Sequence, residues 1–236
     1  MDENYMLYGD FDGEERFCLH LYCVNPAANL QECLDRGRSA VFFSATLLPV
    51  QYYKSLLSSR TDNYAVYAES VFEKRQRLLF AAGDVSSLYT RRNLTEFQRI
   101  AAYIRVTAEA KKGNYIVFFP SYRFMEDVYE QFLAMKPEEM ECIIQGSNMR
   151  ETEREAFMEE FSEARERTLV AFCVLGGIFS EGIDLKHEQL IGVLIVGTGL
   201  PQICSQREVL KSFYDAGEKR EGFAYAYQYP GMNKVL

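Results

Sequence analysis

Three short stretches of this chain carry residue types and spacings that could do chemistry, and each follows or ends an apolar run. Gly176-Gly177-Ile178-Phe179-Ser180-Glu181-Gly182-Ile183-Asp184 holds three glycines interleaved with polar groups in a fixed order. Glycine lets a backbone approach a ligand closely. Ser180 and Glu181 add polar groups, and the Asp184 carboxylate could hydrogen-bond a ribose hydroxyl or hold an arginine. A glycine-rich loop alone is only a turn; the ordered polar pattern is what favours a ligand. Phe118-Phe119-Pro120-Ser121-Tyr122 puts a serine where a helix should begin. Its hydroxyl and backbone N–H could donate to a phosphate at the positive helix end, although an ordinary N-cap accounts for the same residue. Ser44-Ala45-Thr46-Leu47 offers small hydroxyl groups that could relay hydrogen bonds from a phosphate site to a neighbouring domain, with a capped turn as the simpler alternative.

The elements that must position these stretches alternate along the chain. Residues 17–25 (FCLHLYCVN) read as a strand, 26–37 as a short helix with Pro near its start and Gly at its end, and 38–46 (RSAVFFSAT) as a second strand. A helix is expected over 48–58, strands over 63–71 and 77–82, and a helix over 95–111. The continuous apolar run Tyr115–Phe119 suits a strand buried on both faces of a parallel sheet. Then follow a helix over 121–135, a strand over 141–145 and a charged helix over 151–167. That helix would carry Phe157, Phe161 and Ala164 on one face. Strands over 168–175 and 190–196, a helix over 208–217 and an aromatic strand over 223–228 complete the chain. This alternation predicts an α/β fold, a doubly wound, mostly parallel sheet with helices on both faces. Ligands of such sheets bind beyond the carboxyl ends of the strands, which singles out the loops after Phe43, Phe119, Leu175 and Val196. The polar stretch 58–63 (SSRTDN) reads as a boundary, with residues 1–60 as the tail of one domain and 61–236 as a second.

Composition narrows the function classes. The 236 residues carry a formal net charge of −8, which argues against a protein that coats polyanions, because affinity for nucleic acid comes mainly from Lys and Arg meeting phosphates. Any DNA contact must therefore be local. None of the six cysteines sits in a Cys-x-x-Cys pair, so they read as structural thiols of a reducing, cytoplasmic compartment and offer no metal site within this chain. The longest apolar stretches are too short to span a bilayer, and the acidic N-terminus is not a signal peptide.

The ordered set SATL, GNYIVFFPSY, GGIFSEGIDL, GVLIVGTGLPQ and YQYPGMNKVL resembles the C-terminal half of DinG/XPD-type superfamily 2 DNA helicases. The resemblance covers about Val41 to Leu236 and maps these stretches onto helicase motifs III, IV and V with their following segments. Tyr89-Thr90-Arg91-Arg92 is similar to a Tyr-x-x-Arg stretch between motifs III and IV. Gln145-Gly146, Arg154, Phe157 and Phe161 are similar to the helix that precedes motif V.

The resemblance implies a RecA-like motor lobe of an ATP-dependent helicase that moves on single-stranded DNA, generally 5′ to 3′. Residues 1–60 would then be the tail of lobe 1, carrying motif III, and 61–236 lobe 2. Gly182 and Asp184 would face ATP, while Ser121, Tyr122, Ser180 and Arg92 would contact DNA. Ser44, Thr46 and Glu181 would couple hydrolysis to movement. The chain has no Gly-x-x-x-x-Gly-Lys-Ser/Thr loop and no Asp-Glu-Ala-His box. The family carries both on lobe 1 of the same polypeptide, which would hold Mg²⁺ and any 4Fe-4S cluster. The sequence also stops before the arginine-bearing motif VI helix, so no complete catalytic set is expected and the chain reads as a fragment. A non-motor nucleotide- or partner-binding α/β module is the alternative. A Rossmann-type enzyme lacks support because no Gly-x-Gly-x-x-Gly opens a helix.

Overall fold

The computed structural model describes residues 3–44, 46–161, 165–180 and 183–235. In chain order its elements are β1 (Tyr5–Phe11), β2 (Phe17–Cys23), α1 (Ala27–Leu34), α2 (Val50–Leu57), α3 (Leu94–Ala110), β3 (Asn114–Phe119), α4 (Tyr122–Met135), β4 (Glu141–Ile144), α5 (Glu151–Glu159), β5 (Leu169–Val174), β6 (Gly192–Ile195), α6 (Ser205–Asp215) and α7 (Tyr229–Met232). They fall into two compact units: residues 79–199, and residues 1–78 together with 200–234.

The unit of residues 79–199 contains a four-stranded sheet in the order β4-β5-β3-β6. All its pairings are parallel, with Phe119 opposite Val174, Ile144 opposite Phe172 and Phe118 opposite Ile195. The apolar runs of β3 and β5 are explained by burial on both faces. Tyr115, Val117, Phe119, Val170 and Phe172 join one core with Ile104 of α3 and Phe124, Val128 and Phe132 of α4. Ile116, Leu169, Ala171 and Cys173 join the opposite core with Phe157 of α5 and with Phe161 and Phe179. The period-2 alternation of side chains sends successive residues of one strand into different cores.

The helices follow their sequence signals. Asn93 caps α3 by accepting the Glu96 N–H at 3.0 Å, and Ile100, Ile104 and Ala108 then fall on the buried face at four-residue spacing. Ser121 caps α4, which buries Phe124, Met125, Val128 and Phe132.

The other unit contains the antiparallel hairpin β1–β2, in register from Tyr5 opposite Cys23 to Phe11 opposite Phe17. The acidic start of the chain was not expected to form a strand. Asp12 makes the turn by accepting the Glu14 and Arg16 N–H groups at 2.9 and 3.0 Å. Leu210, Ala226 and Tyr227 pack with Val24 into a small core of this unit.

Five local expectations differ from the structure. Residues 38–44, 63–71 and 77–82 form no strands, and Phe43, Tyr64, Val66 and Leu78 are each at least 86% exposed. β-propensity is satisfied only when a neighbouring strand takes up the backbone N–H and C=O groups, and no described segment does so here. The charged helix is shorter than expected, ending at Glu159. Phe161 still reaches the core beside Phe157, by a turn in which its N–H donates to Met158 O; Ala164 lies outside the described residues. Residues 224–228 form a wide helical turn rather than a strand. The spacing of Phe223, Tyr225 and Tyr227 imitates strand alternation, but Tyr225, Ala226 and Tyr227 are all buried, which a one-faced strand would not allow. No helix among the described residues is long and apolar enough to cross a membrane.

Candidate functional site

Parallel pairing forces the loops that follow β3, β4, β5 and β6 onto one edge of the sheet. The Ser121 loop and the Gly176 loop leave neighbouring strands at matched positions, since Phe119 and Val174 are partners. The expectation that these two loops share an edge is met by the strand register itself.

Ser121 is the N-cap of α4. Its Oγ accepts the Phe124 N–H at a long 3.4 Å, which leaves the hydroxyl proton for an outside acceptor. α4 has no acidic residue in its first turn, so nothing there opposes an anion at the positive helix end. Arg123, exposed two residues after Ser121, adds a cation that the sequence reading did not single out. The Tyr122 hydroxyl is turned inward, where it accepts from Gln145 Nε2 at 2.9 Å.

Arg92 comes to the same place from a separate segment. Its guanidinium lies over the Phe124 ring, 4.2 Å from the centroid, and its Nε donates to Ser87 O at 3.2 Å. The Nη groups remain as the donors a phosphate would meet. The Ser87 segment also presses on the loop after β6: a Cβ on Gly197 would run into the Ser87 side chain. Glu96 holds this segment on α3. Only 4% exposed, it accepts the Ser86 N–H, and Arg91 Nη2 donates to both its oxygens at 3.2 Å. The Asn-x-x-Glu spacing over 93–96 signals a capping box in sequence, but the Glu96 carboxylate reaches across to the 86–91 segment instead.

The loop after β5 is a tight turn. Gly177 N donates to Val174 O at 3.1 Å and Ser180 N to Gly177 O at 3.0 Å. Gly176 adopts a left-handed φ of 69°, the region that favours glycine. A Cβ on Gly177 would lie 2.9 Å from Val174 O and 3.1 Å from Gln145 Nε2. The Ser180 hydroxyl donates to Val174 O at 3.1 Å, so its proton is committed to the turn. Glu181 and Gly182 lie outside the described residues. Beyond them Ile183 and Leu185 pack on the second core, while Asp184 points outward, its carboxylate 79% exposed and 3.3 Å from Lys186 Nζ. An outward carboxylate flanked by two anchored apolar residues is well placed to meet a hydroxyl or a guanidinium.

Ser44 and Thr46 belong to the other unit. Ser44 Oγ accepts the Thr46 N–H at 3.2 Å and lies 3.3 Å from Thr46 Oγ1, the geometry of a small hydroxyl turn. Ala45 between them lies outside the described residues. Among the described residues no group of three His, Cys, Asp or Glu side chains could hold a metal ion.

Comparison with known proteins places the chain among relatives. A family described as helicase C-terminal domain matches residues 104–236. The yeast (Saccharomyces cerevisiae) general transcription and DNA repair factor IIH helicase subunit XPD/RAD3 is 24% identical over 80% of this chain and 26% of that protein. The ATP-dependent DNA helicase XPD of Sulfolobus acidocaldarius is 24% identical over 84% of this chain and 35% of its own length. A solved XPD helicase structure superposes with a TM-score of 0.64 at 19% identity, covering 98% of this chain and 40% of that one. A solved apo XPD gives 0.63 at 18% identity over 98% and 46%, so the fold is shared with both. The chain thus spans about a quarter to a third of the curated relatives it matches. With the family match running over more than half of its length, this chain belongs to the helicase C-terminal domain family, as an XPD/DinG-type superfamily 2 C-terminal region.

Proposed function

We propose that this chain works as the second motor lobe of an ATP-dependent DNA helicase. It would close over a nucleotide held by a first lobe of the same polypeptide and grip single-stranded DNA on the edge described above, moving 5′ to 3′. The observation that carries this reading is the gathering of Arg92, Ser121 and the Gly176–Ser180 turn on one sheet edge, from three separate stretches of chain. Phosphoryl transfer between such lobes is mainly positioning and charge stabilisation. ATP and Mg²⁺, held chiefly by the first lobe, would supply the reacting phosphoryl group and its neutralising charge; a 4Fe-4S cluster, if the polypeptide has one, belongs to that part too.

The roles follow from the chemistry each residue can offer. Arg92 gives a phosphate two Nη donors on a guanidinium already stacked on Phe124. Ser121 gives its hydroxyl and the helix N-terminus, and Tyr122, its hydroxyl turned inward to Gln145, would offer its backbone N–H at the same helix end. Ser180 acts by holding the turn shut, since its own proton is used there. Asp184 is free of the core to take a ribose hydroxyl or an arginine from the facing lobe, with Gly182 allowing close approach. Glu181, Ser44 and Thr46 would link hydrolysis to lobe movement. The free cysteines, Cys33 and Cys204 among them exposed, suit a reducing cytoplasm.

The test is ATP-driven unwinding and DNA-stimulated phosphate release by the full-length polypeptide carrying Arg92→Ala and Ser121→Ala together. Both activities should fall at least about tenfold, the effect of losing two phosphate contacts of ordinary strength. Wild-type rates in the double variant would refute the assignment.

A further inference from the structure

Gln145 is a buried polar side chain, 3% exposed, at the end of β4, and none of the roles above uses it. Its backbone N–H continues the sheet by donating to Phe172 O at 2.9 Å. Its side chain leaves the sheet and spans the gap between the two loops of the site. Oε1 accepts the Val174 N–H at 3.0 Å, and Nε2 donates to the Tyr122 hydroxyl at 2.9 Å. A backbone N–H can only donate, so it fixes which end of the amide faces Val174 and therefore which end faces Tyr122.

Val174 is the junction of the other loop. Its N–H goes to Gln145, while its carbonyl accepts both Gly177 N, at 3.1 Å, and Ser180 Oγ, at 3.1 Å. Gly177 packs so closely on the amide that a Cβ there would sit 3.1 Å from Nε2. One amide thus connects the residue next to the α4 cap with the peptide on which the glycine turn is built. The path from Tyr122 to that turn is two side-chain hydrogen bonds long.

We infer that Gln145 is a positioning residue that couples the DNA-facing Ser121–Tyr122 segment to the Gly176–Ser180 turn on the nucleotide side of the site. The inference rests on the function proposed above. DNA bound at the α4 N-terminus fixes Tyr122; Tyr122 fixes the amide; the amide fixes Val174 and hence the turn. The amide serves both partners at once, accepting from the Val174 N–H and donating to the Tyr122 hydroxyl, and burial keeps water from substituting at Val174.

The experiment uses the full-length polypeptide with Gln145→Met, which keeps length and apolar volume but makes neither bond, and Tyr122→Phe, which removes only the hydroxyl. The readouts are the ratio of phosphate-release rates with and without saturating single-stranded DNA, and the affinity for that DNA measured without nucleotide. Gln145→Met should lower the stimulation ratio about fivefold or more, within the range of ordinary coupling, with DNA affinity within about twofold of wild type. Tyr122→Phe should lower the ratio similarly, and the double variant should be no worse than the more severe single one, as expected for two ends of one connection.

A Gln145→Met protein that melts earlier but keeps its stimulation ratio would overturn the inference and leave Gln145 a core hydrogen-bonder. Multiplying effects in the double variant would overturn it as well. If Gln145→Met does not fold, an unchanged ratio in Tyr122→Phe is sufficient to overturn it. A wild-type protein without DNA-stimulated hydrolysis would instead bring down the proposed function, and this inference with it.

Discussion

Arg92 keeps its charge at the site by resting its guanidinium on the Phe124 ring, an attraction worth roughly 0.5–1 kcal/mol at an exposed site. Phe124 is itself fully buried, so the cation is placed by the core of the lobe. Arg92→Ala should weaken single-stranded DNA binding evenly across sequences and reduce the salt dependence by about one phosphate contact. An unchanged slope of affinity against salt in a binding titration would remove Arg92 from the interface. Asp184 is the opposite case, with an exposed carboxylate whose loss should cost hydrolysis and not stability. The full-length Asp184→Ala protein should keep its melting temperature while DNA-stimulated phosphate release falls. Cys173 offers a check on the core. Burial pushes its thiol up to about 12, so native protein at pH 8.5 should leave Cys173 unalkylated while the exposed Cys33 and Cys204 react. Because the folded value lies above that of an unfolded thiol, near about 8.5, this thiol's contribution to stability is whole below that pH. It is lost as pH rises toward about 12.

At the scale of elements, β5 bears most of the packing. Phe172 stacks on Phe119 with centroids 5.8 Å apart and meets the rings of Tyr129 and Phe132. Phe172→Ala should destabilise the protein by roughly 3–5 kcal/mol, readable as a shift in the denaturant midpoint. The strands and helices of this sheet were legible in the sequence because their signals are local and their partners lie within the chain. The apolar runs 115–119 and 169–174 find each other, and Asn93 and Ser121 announce their helices. The runs 38–44, 63–71 and 77–82 carry equally strong apolar signals but form no strands, because propensity does not supply a neighbour. Strand β1 was missed for the complementary reason: its alternation is masked by acidic residues and shows only once β2 pairs with it. The glycine and serine loops of the site were legible as motifs. Gln145 showed only as part of the stretch similar to the segment before motif V, with no role, and Glu96 was not singled out, because what marks both is burial combined with hydrogen bonds to other segments.

The whole molecule carries a formal net charge of −8, so on the proposed function its grip on DNA would come from a few placed groups and should be weak and salt-sensitive when the chain is alone. On the same reading it would supply one side of a nucleotide site. A γ-phosphoryl transition state needs a lysine and Mg²⁺ on one side and commonly an arginine on the other, and loss of the arginine alone costs roughly 10³–10⁵ in rate. The 236 residues contain no phosphate-binding loop, and the charge that Asp184 offers has the wrong sign to replace one. The most direct test of the account is phosphate release from ATP, with saturating single-stranded DNA, by the purified 236-residue chain and by the full-length polypeptide side by side. The account predicts no turnover above background for the chain alone and DNA-stimulated turnover for the full-length protein. Robust hydrolysis by the chain alone, or none by the full-length protein, would contradict it.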